Sequence, residues 1–143
     1  MGTLEDVVRF YGGTELNAPR LAAARFSFSA IQVGQIANFM RGVNTLQNID
    51  VATRELGEIL ANHGNPRRAQ DTRLQTAFDE TQDAIDVLNA GNIFPSAVTK
   101  LIEARNLIAQ AQLADSASER RPLIQQAIGK LGAAKNIVAT IAP

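Results

Sequence analysis

The stretch RAQDTRLQTAFDETQDAIDVLN, residues 68–89, decides the fold of this chain. Side chains that suit a helix interface recur in it at alternating intervals of four and three residues: Leu74, Phe78, Thr81, Ile85 and Leu88. That spacing places them along one seam of a helix packed in a bundle. Ala90-Gly91-Asn92 follows, and glycine and asparagine are favoured just after a helix. We therefore predict a bundled helix from about Arg68 to Asn89.

Two more helices of similar length are predicted downstream. Pro95 and Ser96 open the first, because proline suits an initial turn in which its missing N–H would have no partner. The segment Asp115-Ser116-Ala117-Ser118 separates it from the second, which we expect from about Glu119 to Ile141, with Pro122 in its first turn. Their apolar faces are predicted at Val98, Leu101, Ile102, Arg105, Leu107 and Ile108, and at Leu123, Ala127, Leu131, Ala134, Val138 and Ile141.

Upstream, Ser29 is a candidate N-cap for a further helix. Its apolar stripe comprises Ile36, Phe39, Met40 and Val43, and the pattern resumes at Ile49, Leu56, Ile59 and Leu60 before it stops at His63-Gly64-Asn65-Pro66. The periodicity weakens over residues 44–48. Either two helices meet there or one long helix bends.

A short helix is predicted at the start, from about Leu4 to Tyr11, closed by Gly12-Gly13. Residues 14–27 have the composition of an irregular loop. No alternation of apolar and polar residues typical of strands appears in the sequence. The sequence thus predicts an all-α fold, an up-and-down antiparallel bundle of three to four long helices preceded by a short helix and an irregular loop.

Composition narrows the classes of function. Lys plus Arg and Asp plus Glu each number 14, so the formal net charge is zero, which argues against nucleic-acid binding. The chain has no Cys, which excludes disulfides, Cys-ligated zinc, iron–sulfur clusters and c-type haem attachment within it. No apolar stretch is long enough to span a membrane. The first residues lack the basic region and apolar run of a signal peptide.

Two motifs in the first third of the chain resemble a known family. The segment GTLEDVVRFYGG, residues 2–13, resembles a stretch late in bacterial di-haem cytochrome c peroxidases and their methylamine-utilisation relatives. That family commonly closes with Leu-Thr-x-x-Glu-x-x-x-Leu-x-x-Phe-Leu. Residues at the same spacing here are Phe28, Ser29, Gln32, Ile36, Phe39 and Met40, with Gln32 in place of the usual glutamate and Gly34 unusual within the helix. The resemblance divides the chain into a peroxidase-like C-terminal segment, residues 1–47, and a helical bundle extension, residues 48–143.

The resemblance implies a periplasmic protein that carries two c-type haems and reduces peroxide or performs high-valent iron oxidation. In that family the haem attachment sites and an aromatic-His-Asp-Gly stretch precede the matching segment, and none of them is present here. No catalytic, haem-binding or metal-binding residue is therefore assigned to any position. Haem c is expected on an upstream part of such a protein or on a partner, and the chain corresponds to the C-terminal part, whether separately encoded, cleaved or only partly visible.

Several early side chains form a predicted partner surface. They are more apolar than a solvated short helix and loop require: Val7, Val8, Phe10, Tyr11, Phe26 and Phe28. In the parent fold such residues would pack on the haem domain, and without that domain they leave an exposed apolar patch. The expected partner is a haem-containing polypeptide or domain, or a second copy of this chain.

Other candidate residues have two interpretations each. His63 either caps a helix C-terminus or, with partners, binds metal. Asp79, Asp83 and Asp86, with Glu80 nearby, share a helix face that is either solvated or able to bind calcium, although no calcium loop accompanies them. Met1 and Met40 are haem-ligand candidates, but a methionine on an apolar stripe is typical of a core. The arginines at 67, 68, 73, 120 and 121 form basic clusters that are either solvated or contact an acidic partner.

Three functional hypotheses follow from the sequence. The first is a non-catalytic structural and interaction segment of a di-haem peroxidase-like protein or assembly. The second is a free-standing helical-bundle binding module whose groove accepts another helix. The third is a carboxylate-bridged metalloprotein, which requires buried acidic residues on facing helices.

Overall fold

Four α-helices account for most of the chain that the computed structural model describes, residues 30–62 and 66–141. Helix α1 spans Ala30–Ala61, α2 spans Arg67–Gly91, α3 spans Pro95–Leu113 and α4 spans Ala117–Val138. A 3-10 turn, Ala139–Ile141, follows α4. Within these described ranges there is no strand, and the all-α class is confirmed.

The helices form a closed ring in chain order. Helix α1 packs against α2 and α4, and α3 packs against the same two helices, whereas no Cα atoms of the diagonal pairs α1–α3 and α2–α4 lie within 8 Å of each other. Short connections between successive helices make neighbours antiparallel. The up-and-down bundle predicted from the sequence is therefore confirmed, with four helices.

The core follows one strict spacing on every helix. Buried positions recur at intervals of four and three, which is the knobs-into-holes spacing of coiled coils. On α1 they are Thr45, Ile49, Ala52, Leu56 and Ile59; on α2 Gln70, Leu74, Ala77, Thr81, Ala84 and Leu88; on α3 Ala97, Leu101, Ala104, Ile108 and Ala111; on α4 Arg120, Ile124, Ala127, Leu131, Ala134 and Val138. We call these positions the seam. Large and small residues alternate along much of it, so that facing layers interdigitate.

Alanines occupy several seam positions at which the sequence predicted that a larger neighbouring side chain would be buried. Phe78, Val98, Ile102, Leu107 and Leu123 are only partly buried and pack against the flanks of the core. The small seam residues let the helices approach closely, and this closeness leaves the larger neighbours at the edges of each interface. At these five positions the predicted face is displaced by one residue from the seam. Most other predicted positions are buried as expected, among them Leu74, Thr81, Leu88, Leu101, Ala127, Leu131, Ala134 and Val138. Ile85 and Ile108 are also buried as predicted.

Local signals set the helix ends. Asn92 adopts the left-handed conformation after α2 (φ 51°), and the N–H of Ile93 donates to the Leu88 carbonyl at 3.1 Å, as in a Schellman motif. Helix α4 begins two residues earlier than predicted, because Ser116 is its N-cap and accepts a hydrogen bond from the Glu119 N–H. Pro122 is consequently the sixth residue of α4 rather than part of its first turn. Proline there leaves the Ser118 carbonyl without its intrahelical donor.

Helix α1 runs unbroken through residues 44–48, where the sequence left a break or bend open. Its 32 residues correspond to about 48 Å, compared with about 28 Å for the 19 residues of α3. The end of α2 meets α1 near Arg41, since a Cβ on Gly91 would lie 2.6 Å from the Arg41 Cδ atom. The first turns of α1 therefore extend past the end of α2. The boundary drawn between residues 47 and 48 lies inside this continuous helix.

Candidate functional site

Part of the predicted site lies outside the described residues. This applies to Val7, Val8, Phe10, Tyr11, Phe26 and Phe28, and also to Met1 and His63. Met40 is described and is buried, in agreement with a packing role. It belongs with Ile36 and Phe39 to an apolar face near the start of α1. These three residues are buried but are separate from the cluster formed by the four-helix core.

The acidic residues of α2 form an exposed face. Asp79, Asp83 and Asp86 are exposed, and Gln75 and Gln82 donate to Asp79 and Asp86 at 2.8 and 3.0 Å. Partial burial raises the pKa of Glu80, and the negative charges of the nearby aspartates raise it further. Among the described residues no three acidic or histidine side chains lie close enough together to hold a metal ion.

Most of the predicted basic cluster has structural partners. Arg67 donates through Nη1 to the Asp115 carbonyl and through Nη2 to the Ala114 carbonyl, at 2.9 and 2.8 Å. It thereby ties the start of α2 to the connection between α3 and α4. Arg73 forms a 3.0 Å ion pair with Glu55 of α1. These contacts brace the end of the bundle at which α2 and α4 begin.

A pocket of about 270 Å³ opens at this same end. Its apolar walls come from Ile59 and Leu60 at the end of α1 and from Ile124 of α4. Its polar side chains come from the starts of α2 and α4: Gln70, Ser118, Arg120 and Arg121. We call it the Arg120 pocket. A concave apolar surface with a few convergent polar groups is the usual form of a small-molecule site.

Arg120 is the unusual residue of this pocket, because it occupies a seam position and is only 5% exposed. Its Nη1 donates to the Gln70 Oε1 atom at 2.6 Å, while its Nε–H is buried without any hydrogen-bond partner. Within the described part of the chain no carboxylate pairs with it. Arginine stays protonated in proteins. A buried cation with an unsatisfied donor is costly unless something compensates it.

The start of α4 adds positive potential to the same place. Ser116 and Glu119 satisfy two N–H groups there: Ser116 accepts from Glu119, and the Glu119 carboxylate accepts from the Asp115 N–H at 3.2 Å. The first N–H groups of a helix otherwise have no intrahelical partner, and the helix dipole concentrates positive charge at that end. Arg120 therefore lies where a cation is least stable and an anion is most favoured.

The sequence correctly predicted Arg120 at a helix start but not its burial. The spacing of the seam indicates this burial, because Arg120 lies four residues before Ile124 and Gln70 lies four residues before Leu74. Arginine and glutamine are usually exposed, so their residue types alone do not predict burial at these two positions. The interpretation of Arg120 as a solvated surface residue is wrong, whereas Arg121 and Arg68 are exposed.

In the described part of the chain no helix combines the length and apolar character needed to cross a bilayer. Comparison with protein-family models, with curated proteins and with solved structures gave no match to this chain.

Proposed function

We propose that this chain is a non-catalytic structural and interaction element of a di-haem cytochrome c peroxidase-like protein or assembly, with the haem carried by an upstream part or by a partner. The expected location is the periplasm. This location and the association with haem both rest on the motifs of residues 1–47. The structural observation that supports the proposal most is the division of α1 into two apolar faces.

The second half of α1 belongs to the bundle. Ile49, Ala52 and Leu56 lie in the common core with the other three helices. The bundle thus buries its own seam and does not need a partner to do so. Burial of apolar surface is the main driving force for such packing.

The first half of α1 carries the second face. Ile36, Phe39 and Met40 coincide with the apolar positions of the family-like closing motif and lie outside the core cluster. Because α1 is continuous, the peroxidase-like segment and the bundle share one rigid element. We infer that the bundle is held at a fixed position relative to whatever the segment of residues 1–47 contacts.

The decisive experiment is purification of the protein from its native cells, with haem followed by absorption spectroscopy. The proposal expects a Soret band in the fraction that contains this chain, either on the same polypeptide or on one that co-purifies. Two Cys-x-x-Cys-His motifs in the adjoining upstream coding sequence would agree with it. A haem-free monomer isolated from native cells would contradict it.

A pair of substitutions locates the contact. Phe10→Ser alters the predicted partner surface and should weaken association with the haem-containing polypeptide. Leu113→Ser is the matched control, because Leu113 is an exposed apolar residue on the bundle. Equal effects of the two substitutions would show that the contact is not made through the predicted surface.

The second candidate is a free-standing binding module. The Arg120 pocket favours it, because a pocket with convergent polar groups has the usual form of a small-molecule site whether or not a haem protein is present. The third, a carboxylate-bridged metalloprotein, lacks support in the described core. Its buried polar residues are Thr45, Gln70, Thr81 and Arg120, and none of them is acidic.

A further inference from the structure

We propose that the Arg120 pocket binds a small organic monocarboxylate with an apolar body. This inference does not depend on the proposed association with a haem protein. It rests on the unsatisfied edge of a buried guanidinium, on the position of that group in the bundle and on the apolar walls of the pocket that Arg120 lines.

The guanidinium offers a geometry that suits a carboxylate. Its Nη1 is occupied by the 2.6 Å hydrogen bond to Gln70, which fixes the orientation of the group. The Nε–H, on the opposite edge, has no partner and is covered by protein atoms, so a ligand in the pocket reaches it only when those atoms move aside. The edge formed by Nε and Nη2 is one that carboxylates grip through two parallel hydrogen bonds. A bound carboxylate would satisfy the orphan donor and neutralise the charge at once.

The surroundings favour an anion over a neutral ligand. Arg120 lies in the first turn of α4, where the helix dipole is positive, and Arg121 follows it at the rim of the pocket. The nearest acidic residue in sequence, Glu119, is exposed and accepts the Asp115 N–H. No described carboxylate forms an ion pair with Arg120, so the negative charge is left for a ligand to supply.

The walls favour an apolar body over a bare inorganic anion. Ile59, Leu60 and Ile124 line the space of about 270 Å³ beside the guanidinium. This volume is just below the usual range for small-molecule sites, which begins at about 300 Å³, and it suits a short aliphatic chain. Burial of that chain adds a favourable term for every methylene removed from water.

Octanoate is the probe, titrated into the full chain and followed by nitrogen–proton correlation NMR, which observes arginine Nε–H groups directly. The proposal expects saturable binding that shifts the Arg120 Nε–H resonance, assigned by its absence from the Arg120→Met spectrum. 1-Octanol, which has the same chain without the charge, should bind at least about tenfold more weakly, the size expected for loss of a charged hydrogen-bonded pair. Inorganic phosphate should also bind more weakly than octanoate.

Two variants complete the test. Arg120→Met should weaken octanoate binding by at least about tenfold while keeping the bulk of the side chain. Arg68→Met is the matched control, since Arg68 is an exposed arginine of α2 at the same end of the bundle but does not line the pocket. It should change octanoate affinity less than about twofold, as expected of an exposed charge.

Each outcome decides the question. Equal affinity for octanoate and 1-octanol, or octanoate binding that leaves the Arg120 resonance unchanged, would overturn the proposal without reliance on any variant. Phosphate binding as tightly as octanoate would overturn the requirement for an apolar body. Greater stability of Arg120→Met with no octanoate binding to the parent chain would assign Arg120 to fixing helix register instead.

Discussion

The substitution Leu101→Ala tests the core in the middle of α3, where Leu101 is fully buried (0% exposed) between the other helices. Removal of three buried carbons costs about 2.4 kcal/mol in transfer free energy, at about 0.8 kcal/mol each. The remaining cavity adds to this, and the alanines at 97 and 104, one seam step away on either side, are too short to fill it. We therefore expect the free energy of unfolding to fall by about 3–5 kcal/mol.

The control is on the same helix. Leu113→Ala makes the same chemical change at a residue that is 82% exposed, so its effect should stay within about 0.5 kcal/mol. Urea unfolding of the full chain, followed by circular dichroism, gives both values. The midpoint should fall for Leu101→Ala, and the dependence on urea should stay unchanged. A loss below about 1 kcal/mol for Leu101→Ala, or equal losses for both variants, would refute the described packing of α3.

Three further predictions concern single groups. Thr45→Val should stabilise the chain by about 1 kcal/mol, because the Thr45 hydroxyl is buried without a partner. Thr81→Val should bring no such gain, because the Thr81 hydroxyl donates to the Ala77 carbonyl at 2.7 Å, and urea unfolding compares the free energies of unfolding of the two variants. Gly129→Ala should raise the free energy of unfolding by about 0.5–1 kcal/mol, since Gly129 is exposed within α4 and an added Cβ meets nothing within 4 Å; no gain would contradict the described helix. The hydrogen bond from Lys130 lowers the pKa of Glu103, so the stability that this carboxylate contributes is present above its ordinary pKa and is lost as pH falls through the lowered value. In thermal melts the melting temperature of Glu103→Gln should therefore fall less in acid than that of the parent chain. An equal fall for both proteins would contradict the ion pair.

Local signals predicted the helix ends to within about two residues. Pro95 begins α3 at the position predicted, and α2 ends at Gly91, two residues past the predicted Asn89. These signals act within one or two residues and need no tertiary information. Continuity of α1 was not predictable in the same way, because the polar residues from Asn44 to Asn48 interrupt the apolar stripe. In the structure Thr45 continues the seam through this stretch as a buried residue.

The position of the seam was less predictable than the existence of the helices. An alanine such as Ala104 looks neutral in sequence beside Ile102 and Leu107, yet it is the residue that is fully buried. Helix contacts select the small residue because it permits the closest approach of the backbones, and this choice depends on all four helices together. The burial of Arg120 is a consequence of the same geometry, and the best candidate site was therefore visible only in the structure.

The four helices share one core, and native-state hydrogen exchange of the full chain tests this most directly. The backbone amides of Ile49, Leu88, Ile108 and Leu131, one from each helix, should exchange with a single free energy equal to that of global unfolding. If the amides of α1 or α4 opened at a much lower free energy than those of α2 and α3, the closed four-helix bundle would be contradicted.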